Sequence, residues 1–91
     1  MNHLDTNDIL TKVTRYNLIR DQRMIYIDVH QTLAGQLAGD FVAVPNLINI
    51  VARQEYQGVG NNEAEALEDC LAKIKGVAVE ALFPEKKTPS T

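Results

Sequence analysis

The stretch Met24-Ile25-Tyr26-Ile27-Asp28-Val29-His30-Gln31 constrains the fold more than any other. Ile25, Ile27 and Val29 alternate with Tyr26, Asp28 and His30, a period of two that belongs to an extended strand. One side of that strand is apolar and the other is wet. An antiparallel sheet takes such a strand, with its apolar side packed on a second layer. A chain of 91 residues has room for one such domain. A domain this small buries only about 60–65% of its unfolded surface, so an interface with a partner or a second copy would add to a thin margin.

The second layer is legible in Gly60-Asn61-Asn62-Glu63-Ala64-Glu65-Ala66-Leu67-Glu68-Asp69-Cys70-Leu71-Ala72-Lys73-Ile74-Lys75-Gly76. Asn61 or Asn62 can cap a helix, and Glu63 and Glu65 suit its positive N-terminal end. Leu67, Leu71 and Ile74 form the expected inner stripe, with Cys70 and Ala64 beside it. Lys73 and Lys75 suit the C-terminal end, and Gly76 suits the left-handed C′ position.

The remaining segments are read the same way. Asp5 to Gln22 predicts a first helix, with Ile9, Val13 and Tyr16 at helical spacing; a strand over Val13–Ile19 is the rival reading. Asp21-Gln22-Arg23 reads as a polar turn. Thr32 to Gly39 reads as a glycine-containing loop. Phe41 to Val44 is a short strand stopped by Pro45-Asn46. A long strand is expected from Leu47, with Ile48, Ile50, Ala52 and Tyr56 on one face, ended by Gly58-Val59-Gly60. Residues 77–83 fit either a strand or a short helical turn. The expected fold is α+β: a two-layer domain over residues 1–83, with a three-stranded antiparallel sheet and helices on one face in the order α-β-β-β-α. Residues 84–91 read as a disordered polar tail.

Chemistry is sparse. Asp28 and His30 share a strand face, but nothing adjacent supplies further ligands or a reaction partner, so a solvated face is the expectation. Cys70, the single cysteine, reads as a buried hydrophobe with no base beside it. Gly58-Val59-Gly60 lacks the lysine of a phosphate-binding loop, and the glutamates behind it would repel phosphate. No catalytic residue, cofactor or metal site is expected, and the chain reads as a non-enzyme. No apolar run approaches the ~20 residues that span a bilayer. Met1-Asn2-His3-Leu4-Asp5 has neither a basic nor an apolar signal region, so the expected location is the cytoplasm.

Two families are similar in pattern. Helix–strand–strand–strand–helix with Gly58-x-Gly60 before the last helix resembles the double-stranded RNA-binding domain. That family grips phosphate with lysines at the start of its last helix. Here Asn62-Glu63-Ala64 stands there, which argues against an RNA grip through that helix. Phe41-Val42-Ala43-Val44-Pro45-Asn46-Leu47 and Gly60-Asn61-Asn62-Glu63-Ala64-Glu65-Ala66-Leu67 resemble the HicB-type antitoxins, over the middle and later half of the chain. Asn62 stands where that family has Thr, the spacing from Pro45 to Gly60 is longer, and no DNA-binding segment follows in this chain. The resemblance implies neutralisation of a small, basic, RNA-cleaving protein.

The net charge of −3 fits a basic protein partner. Glu63, Glu65, Glu68 and Asp69, with Leu33 and Leu37 of the glycine-containing loop, are the expected contacts. Nucleic-acid binding through Arg15, Arg20, Arg23 and Arg53 is the alternative. Self-association through a sheet edge, as a homodimer, is the third.

Overall fold

A computed structural model describes residues 3–35 and 39–84. The alternating stretch forms the core of strand β2, Arg23–Ala34, and buries Ile25, Ile27 and Val29. Before it runs β1, Leu10–Arg20, antiparallel to β2 across the two-residue turn Asp21-Gln22. Both turn residues have positive φ, 52° and 64°, the type I′ geometry whose twist matches that of a hairpin.

The expected first helix over Asp5 to Gln22 is therefore corrected to a strand. Within β1, Thr14, Tyr16, Leu18 and Arg20 are half-buried while Val13, Arg15, Asn17 and Ile19 are exposed, a period of two. Val13 and Tyr16, which fitted one helix face, lie on opposite faces of the sheet. Val, Thr, Tyr and Ile favour a pleated surface, and the apolar face of β2 supplies the partner that decides between the two periods.

On the other side of β2 lies β3, Phe41–Asn46, two residues longer than expected. Pro45 does not end it. The turn makes Arg20 and Arg23 a hydrogen-bonded pair, so the odd residues of β2 bond to β1 and the even ones to β3. Pro45 faces Ile27, a non-bonded position, and its missing amide leaves the β2–β3 ladder intact. Its carbonyl accepts from the Ala52 amide at 2.8 Å.

The long strand expected from Leu47 is replaced by a tight turn and a 3₁₀ turn over Gln54–Tyr56. The Asn46 side chain accepts from the Ile48 amide, Leu47 donates to the Ile50 carbonyl, and Ile48 takes a φ of 74°. That reverses the chain and leaves Ile48 exposed. The last strand is instead β4, Gly58–Gly60, paired with Phe41–Ala43. The sheet thus has four antiparallel strands in the order β1-β2-β3-β4, and the layout α-β-β-β-α is corrected to four strands followed by helices, still α+β.

The glycines of β4 serve packing. A Cβ on Gly58 would lie 2.3 Å from the Ala66 carbonyl oxygen and the Cys70 nitrogen. One on Gly60 would lie 2.5 Å from the Glu65 Cβ. Helix α1, Glu63–Ile74, therefore rests with its backbone against the strand. Small residues face inward over β4: Ala66 and Cys70 are buried, as is the larger Ile74 beyond them, while Leu67 is half-buried and Leu71 and Ala64 are exposed. The inner stripe is rotated toward Ala66 and Cys70 from the expected Leu67 and Leu71, with Ile74 inward as expected.

Asn62 caps α1, its Oδ1 accepting from the Glu65 amide at 2.9 Å, and Glu65 Oε1 accepts from the Asn61 amide. Gly76 follows with φ 76°. Residues 77–83 carry the one-turn helix α2, Val79–Leu82, whose Val79 and Leu82 close the core together with Phe83. Leu37 and residues 85–91 lie outside the described residues.

Candidate functional site: the uncovered face of the sheet

Both helices contribute to the core against Ile25, Ile27 and Val29, and among the described residues nothing forms a second layer on the other face of the sheet. Strand alternation puts Val13, Arg15, Asn17 and Ile19 there, with Met24, Tyr26, Asp28 and His30. Val42, Val44 and Val59 complete it. Its centre is polar and organised. Arg15 lies directly across from Asp28 and grips it with two bonds, Nε to Oδ1 at 2.8 Å and Nη2 to Oδ2 at 3.0 Å. Asn46 Nδ2 donates to the same carboxylate at 3.0 Å. The guanidinium lies 4.3 Å from the centre of the Tyr26 ring. The Arg15 hydrogen bonds hold the Asp28 carboxyl below the ordinary aspartate range, so it remains an anion although nearly buried.

Around this centre the surface is apolar. Val13, Ile19, Met24 and Val59 are 46%, 67%, 48% and 60% exposed. At the β4 edge a shallow hollow is lined by Asp40, Phe41, Val42, Val59, Gly60 and Asn61. Large side chains gathered on one uncovered face, rather than scattered, mark a contact surface. His30 lies opposite Val13 and reaches diagonally to Thr11, its Nδ1 3.4 Å from the hydroxyl, while Asp28 turns to Arg15 and Asn46.

The acids of α1 are brought together, and three of them have work within the chain. Glu63 accepts from the Tyr16 hydroxyl, Glu65 caps the helix, and Asp69 accepts from the Val59 amide at 2.9 Å and pairs with Lys73. The Val59 amide, aided by Lys73, holds Asp69 below its ordinary pKa. Glu68 is exposed. Since Val59 touches Asp69 through its backbone and shows its side chain on the open face, the β4 edge is where apolar surface and helix acids adjoin. Leu33 is exposed at the far end of β2.

The arginines are not brought into one patch. Arg15 lies on the open face. Arg20 reaches the covered side and donates to the carbonyls of Ile74 and Val77, at 2.8 and 2.7 Å, closing the C-terminal end of α1. Arg23 pairs with Glu80, and the Arg53 amide donates to the Leu82 carbonyl. Cys70 is buried against β4, its Sγ donating to the Tyr56 carbonyl, and burial pushes its thiol up to about 11.

Sequence reasoning missed Arg15 as the partner of Asp28. The signal was present: in a hairpin closed by Asp21-Gln22, residues equally far from the turn face each other, which pairs Arg15 with Asp28. The apolar rim was missed because Val13 and Ile19 were assigned to a helix.

Comparison with protein-family models, with curated proteins and with solved structures gives no match. Among the described residues no helix is long and apolar enough to cross a membrane.

Proposed function

We propose that the chain is a small acidic cytoplasmic interaction module that binds a small basic protein, in the manner the HicB-type resemblance implies. The observation that carries this reading is the uncovered sheet face, with Val59 and Val42 at the β4 edge beside the acids of α1. Apolar contact supplies the affinity there. Glu65, Glu68 and Asp69, with the net charge of −3, speed encounter with a cation-rich partner. Nucleic acid is favoured less, because Arg15 and Arg23 are paired with carboxylates and Arg20 with carbonyls.

The test is capture by the purified full chain from lysate of the source organism after nuclease treatment, followed by direct binding of each captured protein. A basic protein that binds the wild type, loses binding with Val59→Glu and associates more slowly with Glu68→Lys at low salt is the expected result. Glu68 makes no internal bond among the described residues, so its reversal leaves the fold alone. Capture that vanishes with nuclease, or a partner indifferent to Val59→Glu, would overturn the reading.

A further inference from the structure

The two edges of the sheet differ. The β4 edge is three residues long, and the β1 edge is eleven. Free edges are ordinarily blunted by proline, by bulges, by unpaired charge or by a covering loop. The only register shift in β1 lies at its start, between Leu10 and Thr11. From Val13 to Ile19 there is no proline or glycine, and the one charge, Arg15, is neutralised by Asp28. Among the described residues no loop or cap makes a main-chain hydrogen bond to residues 12–19.

The turn also fixes which amides are free. Arg20 is hydrogen-bonded to Arg23, so the even residues of β1 bond to β2 and the odd ones aim their N–H and C=O outward. Val13, Arg15, Asn17 and Ile19 therefore offer an unused ladder. A two-fold axis that pairs a strand antiparallel with its own copy stands perpendicular to the sheet, so facing residues come from the same face.

We propose that β1 pairs antiparallel with β1 of a second copy, centred on Tyr16, to form one continuous sheet with the helices of both chains on one side. This does not rest on the partner reading, which uses the opposite edge. The register follows from side-chain chemistry. Centred on Tyr16, the exposed Val13 meets the second copy's Ile19, Arg15 meets Asn17, and Thr14 meets Leu18. Centred on Arg15, two guanidinium groups would face each other, and centred on Asn17, Val13 would face Asp21 in the turn. Lys12 falls opposite Arg20, whose guanidinium is turned to the Ile74 and Val77 carbonyls. The occupant is a second copy because this strand complements itself: its two most exposed apolar residues sit equally far on either side of Tyr16.

The experiment is sedimentation of the full chain across a concentration series, with Asn17→Pro and Ile19→Lys alongside. Proline at position 17 removes an outward amide and spares the β1–β2 ladder, and circular dichroism checks that the fold is kept. Register is read by single cysteines at 15, 16 and 17 in a Cys70→Ala background under mild oxidation. Facing Cα atoms of a non-bonded pair lie about 4.5 Å apart, within disulfide reach. The expected results are a dimer that both folded variants lose and a cross-link through Tyr16→Cys but not Arg15→Cys or Asn17→Cys. A monomer at every concentration, a dimer that survives both substitutions, or a cross-link at 15 or 17 in place of 16 would overturn the proposal. A monomer that still binds a basic protein through Val59 would refute the dimer alone.

Discussion

Asp28 is the buried carboxylate among the described residues, and three donated hydrogen bonds from Arg15 and Asn46 hold it charged. Removing it leaves the guanidinium without its acceptor and the Asn46 amide with the Val44 carbonyl alone. Asp28→Ala is expected to lower the unfolding free energy by about 1–3 kcal/mol, measured by urea titration. The pH dependence has a definite sign. The folded-state pKa lies below the ordinary 3.8, so the contribution of Asp28 is complete above that value and fades as pH falls through the folded pKa. The wild type should therefore lose more stability than Asp28→Ala below about pH 4, where the variant has no carboxylate at position 28 to protonate. Cys70 offers a second residue-scale test. With its thiol pushed up to about 11 and no exposed surface, it should react with a thiol reagent at pH 8 only when the chain opens, and in urea the reaction should become fast.

At the scale of elements, α1 and β4 form one unit because two glycines let backbone meet backbone. Gly58→Ala is expected to cost about 1–3 kcal/mol or more, since the new methyl group lands on the helix main chain, which cannot turn aside as a side chain can. Asn62→Ala removes the cap and should cost about 1 kcal/mol. Thermal denaturation of the two variants gives the order. The bounds of α1 were legible in its chemistry, because Asn62 and Gly76 are local signals that need no partner. So were the polar turn at Asp21-Gln22 and the apolar face of β2. The rotation of α1 was not, since it depends on Gly58 and Gly60 lying beneath Ala66 and Cys70, a fact about neighbours in space. β1 reads as a helix because Ile9, Val13 and Tyr16 fall at helical spacing, whereas its strand face, Thr14, Tyr16 and Leu18, shows only against a partner strand. β4 was missed because three residues, two of them glycine, carry no period at all. At the candidate site, the shared face of Asp28 and His30 was legible, while Arg15 required the hairpin register first.

The whole molecule measures 46 × 35 × 19 Å. Its thin dimension fits one sheet and one layer of helices, at about 10 Å between layers. Half of a sandwich is present, and the uncovered side holds both the Arg15–Asp28 pair and the apolar rim. The proposed partner binding at the β4 edge and the proposed self-pairing at β1 use opposite edges, so either leaves the other edge open. The two-residue turn has a consequence in time. Every rung of the β1–β2 ladder closes outward from that turn, and isolated hairpins form in about 1–10 μs. Gly58 seats α1 on the sheet only once β4 has paired with β3 and β3 with β2. The β1 edge needs the hairpin alone, so chains that meet before α1 has docked meet through an edge already formed. Refolding yield should fall as chain concentration rises, and Ile19→Lys should restore it, because the edge proposed to pair in the folded dimer is open to chance pairing first.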